Sequence, residues 1–197
     1  MKRLLIVSCL LFMSSCAEPD APVSEQEEPL PEYVQPVQGD GYQGVIFTVG
    51  RAVVPGYEDR GITDLGSNAR LPTGASFRRA TESEVAAFEA RLPTFWERST
   101  GECANGDCPF AYTPGSVHML SGWRRQYVGY TDSTGGRGLW VNFYPTEYHN
   151  HPPPLKGPYS DWVLMPTPVE DGGPVFFNLY YSVDRDSVLA IWFNGHA

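Results

Sequence analysis

The chain has few basic residues and none of the common motifs of a catalytic centre. Its 14 Lys and Arg residues stand against 23 Asp and Glu residues. They form no basic stripe, which argues against nucleic-acid binding. The sequence contains no nucleophile elbow, no metalloprotease histidine pair and no glycine-rich phosphate loop between a strand and a helix. These absences give no reason to predict a cofactor, and they make a non-catalytic protein the simpler hypothesis.

Apolar runs of membrane-spanning length are also lacking. A spanning helix needs about 20 apolar residues, and the run at residues 4–13 is shorter, with Ser8 and Cys9 inside it. This run follows Lys2 and Arg3 and precedes small residues, which is the order of an export signal. We therefore predict an exported protein, with a transmembrane anchor as the weaker alternative.

Residues 1–16 resemble the lipobox signal of bacterial lipoproteins. Ser14 and Ser15 precede Cys16, although Met13 stands where Leu is more common. The resemblance implies that residues 1–15 are a signal peptide and that Cys16 receives a diacylglyceryl group and an amide-linked acyl chain such as palmitate. Cleavage before Cys9 would leave too short an apolar region. An ordinary secretory signal, cut elsewhere, remains the alternative.

Residues 16–40 are expected to form an acidic, proline-rich tether. Between residues 17 and 40 there is no Lys or Arg, and seven acids occur: Glu18, Asp20, Glu25, Glu27, Glu28, Glu32 and Asp40. Such a segment cannot bury enough apolar surface to offset its ordering entropy, so we predict that it is disordered. Loss of residues 1–15, which hold two bases and no acids, would change the net charge from −9 to −11.

Residues 41–197 are predicted to form one α+β domain. Thr81 and Glu84 have the spacing of a capping box, and the apolar residues that follow recur at helical spacing up to Pro93, where we expect the helix to end. Residues 42–54 predict a strand in two parts. Residues 125–131 with 138–144, and 175–183 with 188–194, predict two hairpins. The expected fold is an antiparallel sheet of about four to six strands with one helix on one face and long loops.

Alternation along these hairpins separates two faces of the sheet. A purely apolar set should meet the helix: Leu139, Val141, Phe143, Val175, Phe177, Leu179, Tyr181 and Val183. The other face mixes rings and amides, which suit stacking on a sugar or gripping a peptide. Its members are a hypothetical ligand site: Trp140, Asn142, Tyr144, Phe176, Asn178 and Tyr180, joined by Trp192 and Asn194 if the register permits. Alternatively, residues 94–122 and 145–174 cover this face and bury it as a second core.

Two cysteines of the predicted domain favour a structural crosslink. Cys103 and Cys108 flank an Asn-Gly turn, and an exported protein meets an oxidising compartment, so we predict a short-loop disulfide. A catalytic redox pair normally has two intervening residues, whereas these cysteines are separated by four. No further zinc ligands lie nearby in the sequence.

The histidines do not have the spacing of a metal site. His149 and His151 lie in a proline-rich loop, and they would need His118, His196 or Asp161 to complete a three-ligand site. We expect an exposed loop without a metal.

The ending, residues 171–197, together with residues 125–130, is similar to the C-terminal part of small exported bacterial proteins of unassigned function. That resemblance implies a compact helix-plus-sheet domain and carries no functional residue. The sequence thus predicts a lipid-anchored cell-envelope protein whose domain binds a peptide, a glycan or another envelope protein. Ala17, where an Asp would favour inner-membrane retention, favours the outer membrane in a Gram-negative host. The alternatives are an exported hydrolase with a site in the loop of His149 and His151, or a structural envelope component.

Overall fold

The computed structural model describes residues 29–54, 58–102, 123–145, 161–167 and 176–193. In these ranges the strands and helices, in chain order, are β1 (Val34–Gly39), β2 (Tyr42–Phe47), β3 (Arg51–Val53), β4 (Ile62–Asp64), α1 (Leu65–Asn68), β5 (Ser76–Arg78), α2 (Glu82–Glu102), β6 (Trp123–Thr131), β7 (Arg137–Pro145), α3 (Asp161–Leu164), β8 (Phe177–Ser182) and β9 (Ser187–Phe193).

One mixed sheet organises the described part of the chain, which confirms the predicted α+β class. Its seven strands follow the order β1-β2-β6-β7-β8-β9, and β5 also pairs with β6. All pairs are antiparallel except β2 with β6. β6 is long enough to pair with β2 along its first half and with β5 at its end. The sheet therefore differs from the expected antiparallel sheet of about four to six strands in two ways. It includes β1 and β5, which were not predicted, and it contains one parallel pair.

Strand β1 corrects the predicted domain boundary. Residues 34–39, which we assigned to the disordered tether, pair with β2 from Val34↔Phe47 to Gly39↔Tyr42. Val34 and Val37 are buried in the core. The acidic composition of the whole segment concealed these two valines, which are three positions apart and pack into the clusters on opposite faces of the sheet. The strand ends at the Asp40-Gly41 turn, where Gly41 takes a positive φ of 76°. The domain thus begins before Gly41.

Helix α2 begins where the sequence predicted and ends later. The capping box forms in both directions: the Thr81 N–H donates to Glu84 Oε2 over 3.0 Å, and the Glu84 N–H donates to Thr81 Oγ1 over 3.2 Å. The expected end at Pro93 is wrong, because α2 continues to Glu102. Proline removes one backbone donor from a helix but leaves the remaining bonds available.

The helix packs on the predicted apolar face. Val85, Phe88 and Leu92 lie in one buried cluster with Leu139, Val141, Phe143, Phe177, Leu179 and Tyr181. Phe143 and Phe177, neighbours across β7 and β8, stack with ring centroids 4.2 Å apart. Both hairpins form as predicted, β6–β7 across residues 132–136 and β8–β9 across 183–186.

A glycine permits close packing beneath α2. A Cβ at Gly44 would lie 2.5 Å from the Arg125 carbonyl oxygen and 2.7 Å from the Tyr127 ring. Such approaches are closer than real Cβ contacts, so the absence of a side chain at Gly44 makes room for both neighbours. The predicted break at residues 42–54 is also present, because β2 ends at Phe47 and β3 begins at Arg51.

Candidate functional site

The six residues of the predicted ligand face do lie on one face of the sheet, opposite α2. Trp140 pairs with Tyr180 and Asn142 pairs with Asn178 across β7 and β8. Tyr144 and Phe176 continue the same row, with ring centroids 5.1 Å apart in an edge-to-face arrangement. The alternation of the strands therefore predicted correctly which side chains share this face.

A second layer covers the centre of that face. Leu65 and Ala69, at α1, and Leu164, in α3, form a buried cluster with Val128, Trp140 and other residues of the sheet. Trp140, Asn142 and Phe176 are buried. These three residues cannot meet a surface ligand, and this corrects half of the predicted site. The alternative of a covering layer is the better description, although much of the cover comes from residues 52–54 and 65–77, which we did not consider for this role.

A buried amide network fastens the cover to the sheet. Asn142 Nδ2 donates to Gln126 Oε1 over 2.7 Å and to the Thr167 carbonyl over 3.1 Å. Gln126 in turn donates to the Met165 carbonyl over 2.7 Å and accepts the Thr167 N–H over 3.0 Å. Buried amides need such partners. Gln126 and Asn142 thus serve to hold residues 165–167 in place.

The outer edge of the same face remains open at β8 and β9. Trp192 is 44% exposed, and Asn178 and Tyr180 are half-buried. Asn178 and Trp192 are direct cross-strand partners, so their side chains lie side by side. The rings of Tyr180 and Trp192 meet edge to face, with centroids 4.5 Å apart and planes at 77°. We call these three residues, Asn178, Tyr180 and Trp192, the aromatic edge surface.

Contacts on its inner side fix the orientation of Tyr180. The Tyr180 hydroxyl donates to the carbonyl of Arg70, a residue with a left-handed φ of 52°. The Tyr130 ring packs against Tyr180 at 5.9 Å and 81°. Burial raises the pKa of Tyr180, against the smaller opposing effect of Arg70, so the phenol is neutral at neutral pH. Trp192 therefore rests on a rigid, uncharged neighbour.

A buried ion pair lies on the opposite face, beneath α2. Arg125 Nε is 3.3 Å from Glu89 Oε1, and the Tyr127 hydroxyl donates to that same oxygen over 2.6 Å. Burial raises the pKa of Glu89, while the Arg125 charge and the Tyr127 hydrogen bond oppose the shift. Perturbed carboxylates mark many catalytic centres. The Glu89 and Arg125 side chains, however, are only 8% and 1% exposed, so a substrate could not reach them.

The start of α2 carries a second set of ion pairs. Glu84 contacts Arg78 at 2.8 Å and Arg137 at 3.3 Å, and Arg137 also contacts Asp184 at 2.8 Å. Burial acts to raise the pKa of Glu84, but hydrogen bonds from Arg78 and the Thr81 N–H and the two nearby Arg charges lower it overall. Each acid in this set has a cation, and Glu84 also caps the helix, so the set has a structural role.

A groove of about 380 Å³ lies at the other edge of the sheet, between the β1–β2 hairpin and α3. Gln38 and Gln43, which are direct cross-strand partners, are the polar side chains of its wall. The remainder of the lining is apolar or glycine: Leu30, Pro36, Val37, Gly44, Val45 and Val163.

Several predicted residues lie outside the described ranges. They are Cys16, Cys103, Cys108, His118, His149, His151, Asn194 and His196. The predicted lipidation, disulfide and histidine loop therefore stay predictions. Among the residues that the structure describes, no group of three His, Cys, Asp or Glu side chains could hold a metal ion. No helix within those ranges is long and apolar enough to cross a membrane.

Comparison of the chain with protein families, with curated proteins and with solved structures finds no match. Sequence reasoning missed the Glu89–Arg125–Tyr127 cluster. A signal was present, because Arg125 and Tyr127 alternate on the strand face that meets the helix, and Glu89 lies one residue after the core residue Phe88.

Proposed function

We propose that this chain is a lipid-anchored protein of the bacterial cell envelope whose domain is a non-catalytic binding module. The anchor is the lipid on Cys16, attached after removal of residues 1–15, and the ligand is a neutral saccharide of the envelope. The saccharide stacks on Trp192 at the aromatic edge surface. The single observation that carries the choice of site is the exposed Trp192 ring beside a fixed Tyr180 ring.

The chemistry of the aromatic edge surface favours a sugar. An exposed indole offers a flat apolar area at low cost in side-chain entropy, and the apolar face of a sugar ring can lie against it. The neighbouring Asn178 amide supplies both a donor and an acceptor for hydroxyl groups. The three side chains of the surface carry no charge at neutral pH, which favours an uncharged ligand. A peptide ligand would also contact Trp192, so the test includes peptides.

The binding test compares two exposed apolar residues of β9. The full chain, purified in detergent, is titrated calorimetrically with chitotriose, maltotriose and an uncharged peptide. We expect at least one saccharide to bind and Trp192→Ala to weaken it by about tenfold, equivalent to about 1.4 kcal/mol. Leu189 is 50% exposed and lies outside the surface, so Leu189→Ala is the matched control and should leave the affinity unchanged. Binding of the peptide alone, or equal effects of both substitutions, would contradict the proposal.

The anchor has its own test. Mass spectrometry of the processed chain should show Cys16 as the first residue, carrying a diacylglyceryl thioether. Cys16→Ser should block that modification and release the protein from the membrane fraction, because the lipid is the proposed attachment. An unmodified Cys16, or membrane retention of the variant, would contradict the anchor without affecting the binding site.

A further inference from the structure

The two outer strands of the sheet differ in how they could meet another chain. In the described residues, β1 and β9 each pair on one side only, as does the three-residue β5, which carries the charged Arg78. Edge strands expose unpaired backbone groups and associate with other strands unless proline, charge or a bulge prevents it. β1 carries Pro36 in its middle, whereas β9 contains no proline and no charged residue over Ser187–Phe193.

Strand β9 also exposes apolar side chains. Leu189 is 50% exposed beside the register shift at Tyr180 and Tyr181, and Trp192 is 44% exposed. The shift makes Leu189 the extra residue of β9 and leaves residues 190–193 in regular pairing with β8. The outer side of residues 190–193 is therefore the receptive edge of this domain.

We propose that two copies of this chain pair through β9, antiparallel, to form a closed two-fold dimer. One receptive edge and one blocked edge give an isologous contact that cannot extend into a filament. The antiparallel arrangement also places the acidic turns of the two copies, with Asp184 and Asp186, at opposite ends of the paired strands. The β8–β9 hairpins then bring two aromatic edge surfaces next to each other on one continuous face.

The position of the anchor segment is compatible with this dimer. The described chain enters the sheet at β1, the strand farthest from β9. At about 4.8 Å per strand, the two β1 strands of the dimer would lie about 53 Å apart. In each copy, the 12 residues between Cys16 and Pro29 could span about 37 Å at about 3.1 Å per residue, so both lipids could enter the same membrane. This step rests on the proposed anchor, and sharing one membrane raises the effective concentration for a weak contact.

Crosslinking in intact membranes tests the dimer. The full chain carrying Ala190→Cys is treated with a short bismaleimide, beside the wild-type chain and Ser133→Cys, an exposed position in the β6–β7 loop. We expect a crosslinked dimer with Ala190→Cys and only the wild-type background with Ser133→Cys. Adding Leu189→Lys should abolish the dimer, because a charged residue blocks edge pairing, while leaving the melting temperature unchanged within about 2 °C.

The outcomes separate this inference from the binding proposal. Background crosslinking with Ala190→Cys, or equal crosslinking at both positions, would overturn the dimer. If Trp192→Ala still weakens saccharide binding in that case, the binding proposal holds and only the dimer proposal fails. Conversely, a crosslinked dimer without saccharide binding would support β9 as an interface between two copies and would contradict the proposed saccharide ligand. Crosslinking of Ala190→Cys to a different protein would show that another chain, not a second copy, occupies the edge, and would also overturn the dimer.

Discussion

Glu84 gives the sharpest test of how the fold is held together, because its carboxylate has two separable roles. One oxygen accepts the Thr81 N–H and the Arg78 guanidinium, and the other faces Arg137. Glu84→Gln keeps a carbonyl oxygen for the Thr81 N–H but removes the charge, whereas Glu84→Ala removes both. The two variants thus divide the capping contribution from the ionic one.

The expected magnitudes follow from these contacts. Loss of one half of a capping box costs about 1 kcal/mol. Removing one partner of a fully buried ion pair costs about 3–5 kcal/mol, but Arg78 keeps its bonds to the Tyr130 and Gly138 carbonyls and is partly exposed, which reduces that cost. We expect a loss of about 1–2 kcal/mol for Glu84→Gln and about 2–3 kcal/mol for Glu84→Ala.

Thermal unfolding of the full chain at several pH values measures these losses. Each kcal/mol should lower the melting temperature by about 2–4 °C in a chain of this size. Because the pKa of Glu84 is lowered on folding, its contribution is complete above the ordinary glutamate pKa and disappears as the pH falls through the folded-state pKa. Glu84→Gln should therefore differ from the wild type at pH 7 and converge with it in acid. Equal melting temperatures at pH 7 would refute the ionic role.

Three further substitutions test other parts of the fold. Folding raises the pKa of Glu89, so its contribution is complete below the ordinary glutamate pKa and is lost as the pH rises through the folded-state value; the stability lost in Glu89→Gln, measured by denaturant unfolding, should therefore be smaller at pH 7 than in acid, and a larger loss at pH 7 than in acid would contradict the direction of that shift. Gly44→Ala should destabilise the protein by about 1–3 kcal/mol in the same assay, because its Cβ would approach the Arg125 carbonyl too closely; an unchanged midpoint would show that β2 and β6 can separate. Asn142→Ala should release residues 165–167, detected as faster proteolysis of α3 relative to the wild type, whereas unchanged cleavage would mean that the amide network does not hold the cover.

The elements with strong local signals were predictable from the sequence. The Thr81–Glu84 capping box predicted the start of α2, and strict alternation in β7 and β8 predicted which residues face the helix. A local signal reflects the conformational preference of a few residues. That preference is realised in the folded protein when the tertiary contacts favour the same conformation. The end of α2 was not predictable in this way, because tolerance of Pro93 depends on the remaining helical bonds.

The covering layer could not be predicted, because it depends on long-range packing. Val54 and Leu65 carry no alternating or helical pattern that would assign them to Trp140, yet they share its cluster. The same cover decided the binding site: it buried Trp140, Asn142 and Phe176 and left Asn178 and Tyr180 at the edge with Trp192. The short strand β1 escaped prediction because the acidic composition around it dominated its two apolar positions.

Hydroxyl-radical footprinting of the full chain, with and without the saccharide that binds it, tests the central claim most directly. Oxidation of each side chain is quantified by mass spectrometry, and the side chains that the bound ligand protects from oxidation identify its site. We predict that bound saccharide lowers the oxidation of Trp192 and Tyr180 several-fold and leaves Ile62, an exposed residue of β4, unchanged. Unchanged oxidation of Trp192 at saturating saccharide would contradict the assignment of the aromatic edge surface as the binding site.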